Sequence, residues 1–381
     1  MLCEDTSELD YTAHPHTKEL GPIGDGKGRG LLLHSTLAVR PSDRQVLGLA
    51  HAQVVLRQTS PKKNTHWVAS PEALVWEVSA HAVGSPPPGV TWIHVGDRGS
   101  DDFGFLAACA DESKDFLVRL FHNRVLVWEE GPPQASEPSA HFLLDYLRSL
   151  PPVAGSGYTV HIPSHLVKGK PVPARDAKVV VAWAKVRVPP PAQAPLPLRT
   201  HAPLGAWGLR VWEPNPPQDV AEPVEWLLLS SLPIENLADA HRSVDHYTCR
   251  WLCEDYHQCL KTGCGVEKSQ LDTGADLRRL LGFAIPLAVR LLQLRQVVRH
   301  LPDLPALALI EPLQVHVLAR RQHLDEATLT LAQFWQAVAR LGGYLGRKSD
   351  GPPGWRVLWK GYRYLADLTE GARLIVEQGR G

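Results

Sequence analysis

Charge of one sign is missing from this chain: 40 Lys and Arg balance 40 Asp and Glu over 381 residues. Composition therefore carries no polyanion-binding signature, and any nucleic-acid surface has to be local. The 18 His add positive charge only below neutral pH. Disulfide-like cysteine spacing is absent too. Six Cys, with no charged-then-apolar leader at the N-terminus, suit a reducing cytoplasm rather than secretion. The most apolar long run, LLGFAIPLAVRLLQL, contains Pro286 and Arg290. It reads as too short and too interrupted to span a bilayer, so a buried helix and no membrane partner are expected. No internal repeat is evident. What is present is 44% hydrophobic, enough for a substantial core and a length of two or three domains, or one elaborated one.

The order of elements points to an α/β fold. MLCEDTSELDY places Asp5 in a first strand, and GRGLLLHSTLAV and VLGLAHAQVVL read as two strands joined by the turn PSDRQ. Ser70 and Pro71 open a helix as N-cap and first helical residue. VTWIHVGDRGSDDFGFLAACA gives a strand ending at Gly96-Asp97 and then another helix. From Lys114 to about Glu225 the runs FLVRLF, RVLVW and AKVVVAWAKVRV alternate with proline-rich turns such as GPPQASEPSA and PPPAQAPLPL, a β-rich region in which prolines are too dense for helices. EWLLLSSLPI returns as a buried strand, and the chain after Asn236 is dominantly helical. The expected divisions are 1–113 and 226–300 for the two parts of a core, 114–225 for the β-rich insertion, and 301–381 for a helical C-terminal region.

The stretch HYTCRWLCEDYHQCLKTGCG, from His246 to Gly265, offers two chemistries. Set on one continuous helix at about 100° per residue, Tyr247, Arg250, Glu254 and Lys261 share a narrow polar stripe. Cys249, Leu252, Cys253, Tyr256 and Leu260 fall on the opposite side, as a buried face does. The cysteines, spaced by three, five and four residues, lack paired zinc-ligand spacing and read as core thiols. A zinc site on Cys249 and Cys253 with His246 and His257 is the alternative. The polar stripe suits a carboxylate that holds a metal ion beside cations and a phenol that hold phosphate. On the wheel alone a solvated face with an i,i+4 Arg/Glu pair explains it as well.

Asp5 in the first strand, Asp97 at a strand end and Glu254 on this helix are acids that can converge above a sheet edge, where carboxylates clamp two Mg²⁺ for phosphoryl displacement. The pattern Y-x-x-R-x-x-x-E-x-x-x-x-x-x-K, formed by Tyr247, Arg250, Glu254 and Lys261, resembles the Tyr-Arg-Glu-Lys signature of bacterial insertion-sequence DDE transposases of family four, the group that includes the transposase of transposon five. EDTSELDY, GDRGSD, EWLLLSSLPI, LAVRLLQLR and ARLGGYLGRKSDGPPGWRVLWKGY extend the resemblance over nearly the whole chain.

The resemblance implies a ribonuclease H-like mixed sheet with a β-rich insertion and a helical C-terminal region for dimerisation. It implies a DNA transposase that nicks transposon ends, forms hairpins and transfers strands as a homodimer on double-stranded DNA, in a bacterial cytoplasm. Asp5, Asp97 and Glu254 would hold Mg²⁺, with Mn²⁺ as a substitute. Tyr247, Arg250 and Lys261 would hold backbone phosphates, and Trp226 would either stack a flipped base or fill the core. Relatives usually carry an N-terminal DNA-binding domain ahead of the first Asp, where only Met1 to Glu4 stand here, so the chain is expected to be truncated. Relatives also often have a Lys at the position of Gln258. A non-catalytic DNA-binding remnant and a zinc-stabilised interaction module are the competing functions.

Overall fold

The strand runs assemble into one mixed sheet. The computed structural model describes residues 1–57, 71–128, 141–167, 170–218, 220, 222–347 and 350–378. In chain order the strands and helices are β1 (Leu2–Asp10), β2 (Gly21–Ile23), β3 (Gly28–Arg40), β4 (Gln45–Val55), α1 (Pro71–Ala82), β5 (Ile93–Gly96), α2 (Phe103–Asp111) and β6 (Asp115–Arg119). These are followed by α3 (Leu143–Ser149), β7 (Tyr158–Ile162), β8 (His165–Val167), β9 (Lys170–Val172), β10 (Arg175–Val188), β11 (Leu204–Trp212) and β12 (Glu225–Ser230). The helical remainder comprises α4 (Leu237–Thr248), α5 (Trp251–Gln258), α6 (Gly274–His300), α7 (Pro312–Gln322), α8 (Leu331–Leu341) and α9 (Trp355–Gln378).

Ten strands share the sheet in the order β2-β3-β1-β5-β6-β12-β11-β10-β7, with β4 paired to β3. The neighbours β1, β5 and β6 run parallel, and the rest pair antiparallel. This is an α/β architecture consistent with a ribonuclease H-like fold. Helices α1, α2 and α3 cover one face through Trp76, Phe105 and Leu147, and the later helices cover the other through residues such as Val244, Leu252 and Leu281.

Several elements differ from the sequence expectation. FLVRLF supplies β6, which lies inside the sheet between β5 and β12. The strands expected as an insertion extend that same sheet through β11, β10 and β7. RVLVW forms no strand; Val125 makes only an isolated bridge to Phe142. The proline-rich stretch also contains α3, whose Leu143, Tyr146 and Leu147 are buried, an i, i+3, i+4 spacing that outweighs the surrounding prolines. Ser70 and residues 131–140 lie outside the described residues. The apolar run is longer than expected: α6 spans 27 residues with Pro286 inside, and it is long and apolar enough by length and composition to cross a membrane. Half of its most apolar window is buried within the fold.

At the C-terminal end α8 and α9 cross backbone to backbone. A Cβ on Gly342 would lie 1.8 Å from the Val357 carbonyl oxygen, and one on Gly361 1.8 Å from that of Val338. Only glycine permits this approach.

Strand alternation on β1 sends Cys3 and Asp5 to one face and Glu4 to the other. Glu4 is fully buried there, as are His34 of β3 and His94 of β5. Its carboxylate accepts hydrogen bonds from His34 Nε2 at 3.1 Å and from His94 Nδ1. Burial by itself pushes the Glu4 carboxyl up, but His94 and His34 outweigh it and hold the group at about 2, below its ordinary 4.5. A carboxyl depressed by folding contributes stability above its unfolded pKa, and this is lost as pH falls through the folded one. Glu4→Gln should therefore cost about 3 kcal/mol at pH 7. In chemical denaturation as a function of pH, this difference should shrink between about pH 4.5 and 2; a penalty that stays constant down to pH 2 contradicts the ionised clamp.

Candidate active site

On the opposite face of β1, Asp5 points toward α5. The parallel register pairs Leu2 with His94 and Cys3 with Val95, and continued by two residues it sets Asp5 level with Asp97. Asp97 follows β5 directly and caps a short 3₁₀ turn, accepting from Gly99 N at 2.8 Å. Gly96 is required beside it, because a Cβ there would lie 2.3 Å from Ser100 Oγ. Glu254 stands on α5, half exposed.

Arg250 ties two of these acids together. Its Nη2 donates to Glu254 at 2.5 Å and its Nη1 to Asp5 at 3.4 Å, and only 11% of the side chain is exposed. Burial works against the guanidinium's charge, and Tyr247, Asp5, Glu254 and Asp97 outweigh it. Asp5 is in the reverse position. Burial drives its carboxyl up to about 7; Arg250 opposes this, and Asp97 and Glu254 reinforce it. Three oxygen donors with a deficit of positive charge fit a hard divalent cation such as Mg²⁺. Among the described residues, however, no three His, Cys, Asp or Glu side chains are gathered closely enough to hold an ion, so binding one requires side-chain movement.

The single helical stripe expected from the wheel does not form. Between α4 and α5 the amides of Cys249, Arg250, Leu252 and Cys253 bond to carbonyls three residues back, and Cys259–Gly263 forms a π-helical turn. The tighter junction and the wider turn each change the rotation per residue from the constant value that the wheel assumes. Tyr247 is consequently buried, its ring 5.2 Å from that of Trp226. Trp226 is itself buried and also meets Trp251 edge-on at 6.0 Å; stacking a flipped base there requires these rings to part. Lys261 is 3.9 Å from Glu267, which accepts from Asp10 N at the far end of β1 from Met1. Gln258 is exposed. The cysteines do lie in the core: Cys249, Cys253 and Cys259 are buried free thiols, and Cys253 donates to Cys3 O at 3.0 Å.

Arg119 escaped the sequence reading because it looks like one polar position in a strand. It ends β6 beside Tyr247, Arg98 and Arg250, donates to Glu225 O at 3.1 Å, and has its charge disfavoured mainly by burial. The acid cluster is thus flanked by cations on neighbouring strand ends, an arrangement able to receive a phosphate group.

One comparison with known proteins bears on this fold. Residues 286–379, about a quarter of the chain, match the family described as the Transposase Tn5 dimerisation domain. The match runs from Pro286 within α6 to the end of α9 and includes the glycine crossing of α8 and α9. It links the chain to transposases of this kind and to homodimer formation through its helical C-terminal region.

A carboxyl raised by folding contributes stability below its unfolded pKa, and this is lost as pH rises through the folded value. Without divalent ions, Asp5→Asn should match the wild type near pH 4. By pH 7 and above it should be more stable by about 2 to 4 kcal/mol. Thermal unfolding in chelator across that range measures the difference; a gap independent of pH contradicts a charge-starved Asp5.

Proposed function

We propose that this protein is a DNA transposase that cuts and joins strands at the ends of its element by metal-assisted phosphoryl transfer, acting as a homodimer on double-stranded DNA. The observation that carries this reading is the bridging of Asp5 and Glu254 by Arg250, with the charge of Asp97 felt at Asp5, on a chain whose C-terminal helices match a transposase dimerisation domain. Asp5, Asp97 and Glu254 are the residues that would hold Mg²⁺ or Mn²⁺. Bound there, two such ions supply activation of a water or a DNA 3′ hydroxyl and stabilisation of the leaving oxygen.

The chain's own part is positional. The parallel register of β1 and β5 keeps Asp5 and Asp97 level, while α5 brings Glu254 in from the helical layer. Arg119, Arg250 and the exposed Arg98 offer guanidinium groups to the non-bridging oxygens of a phosphodiester. Lys261 lies farther along β1, where it suits a phosphate some nucleotides away. Tyr247 is buried beside Arg119 and Trp226 in this conformation, so meeting DNA would require it to move.

The experiment is nicking and joining of duplexes that carry the ends of the protein's own element, with Mg²⁺ or Mn²⁺. Wild type should release a 3′ hydroxyl end and join it to target DNA, and Glu254→Ala should reduce nicking by about 10³-fold or more while duplex binding persists. Nicking unaffected by Glu254→Ala, or duplex binding by the wild type with no metal-dependent nicking, overturns the assignment; the latter outcome is that of a DNA-binding remnant.

A further inference from the structure

We propose that Arg250 is a resident cation of the acid cluster, occupying in the DNA-free protein the charge position that a divalent ion takes, so that ion binding requires its guanidinium to swing away. This rests on the reading of Asp5, Asp97 and Glu254 as ion ligands and adds a competitor built into the chain.

Three observations carry it. First, Arg250 is the group that spans the cluster: Nη1 reaches Asp5 and Nη2 reaches Glu254, acids 249 positions apart in the sequence yet bridged by one side chain. An i,i+4 pair on a solvated helix does not explain a guanidinium only 11% exposed with a partner on β1. Secondly, its hydrogen bonding is incomplete. Arginine has five N–H donors in a fixed fork; here the Asp5 bond is long at 3.4 Å, and Nε is buried with no partner. A buried unpaired donor carries a desolvation penalty that a better acceptor would remove. Thirdly, other cations stand near: the charge of Arg119, at the end of β6, is disfavoured first by burial and then by Arg98 and Arg250. Movement toward them is unfavourable until an anion arrives. A phosphodiester supplies that anion and can accept the guanidinium in two parallel bonds.

Divalent ion and DNA phosphate are therefore coupled through one side chain, each favouring the position of Arg250 that admits the other, and such coupling is reciprocal. The DNA-free protein binds ions weakly, and the protein with a phosphate group seated binds them well.

The test is Mn²⁺ affinity measured without DNA, by electron paramagnetic resonance of free Mn²⁺ and by calorimetric titration, on wild type, Arg250→Gln, Arg250→Lys and Asp5→Asn. Arg250→Gln should bind Mn²⁺ at least tenfold more tightly than wild type. Arg250→Lys, which keeps a charge but loses the fork, should fall between them, and Asp5→Asn should bind least. Should Arg250→Gln unfold in chelator, Arg250→Lys still gives the comparison, and recovery of the Gln variant's fold on adding Mn²⁺ supports the proposal. Arg250→Gln or Arg250→Lys binding Mn²⁺ no better than wild type, while Asp5→Asn abolishes binding, overturns the resident cation and leaves the ion site standing. Failure of every variant to bind Mn²⁺ overturns both.

Discussion

Two adjacent carboxylates on a central strand set the terms for the rest of this molecule. Alternation forces Glu4 and Asp5 onto opposite faces of β1, and β1 is enclosed by β3 and β5, so neither charge reaches water easily. Each face has to supply partners of its own. Beneath, His34 and His94 do so by hydrogen bonds to Glu4 from the two neighbouring strands, and the result is a static clamp that fixes how β1 lies between them. Above, Arg250 does so incompletely, and Asp5 stays difficult to ionise. The same strand therefore carries one satisfied buried charge that holds the sheet and one unsatisfied charge that invites a cation.

That asymmetry follows from which elements deliver the partners. The histidines come from hydrogen-bonded neighbours whose register is fixed by the ladder. Arg250 comes from a helical layer, at a junction where the i→i−3 bonds between α4 and α5 relax into the α5 helix. A partner on a ladder cannot withdraw without breaking strands; one at a helix junction on a long side chain can. The fixed Glu4 clamp and the looser Asp5–Arg250 pair thus sit back to back across one sheet.

Much of this was legible in the sequence because it rests on short-range pattern. Apolar runs mark β3, β4 and β10, the Gly96-Asp97 turn ends β5, and the helical remainder begins after Asn236. The acids Asp5, Asp97 and Glu254 are read from the sequence as a set, and the fold puts two of them, Asp5 and Glu254, on one guanidinium. The failures are equally specific. A helical wheel turns by a constant angle, so it cannot register a 3₁₀-like junction and a π turn within twenty residues, and for that reason it placed Tyr247 outside when it lies against Trp226. Proline density hid α3, whose three buried side chains carry a signal only one turn and a half long. Arg119 and the continuity of β6, β12, β11 and β10 in one sheet depend on pairing between distant strands, which local sequence does not encode. The burial of Glu4 between two histidines likewise has no local signature, since Glu4, His34 and His94 are distant in sequence.

The central claim is that the face of β1 bearing Asp5 is a cation site shared between a side chain and an ion. Anomalous diffraction from crystals soaked in Mn²⁺ tests it most directly. The account predicts density between Asp5, Asp97 and Glu254 together with a guanidinium of Arg250 moved off Asp5; no anomalous density at the acids, with Arg250 still bridging Asp5 and Glu254 at saturating Mn²⁺, would contradict it.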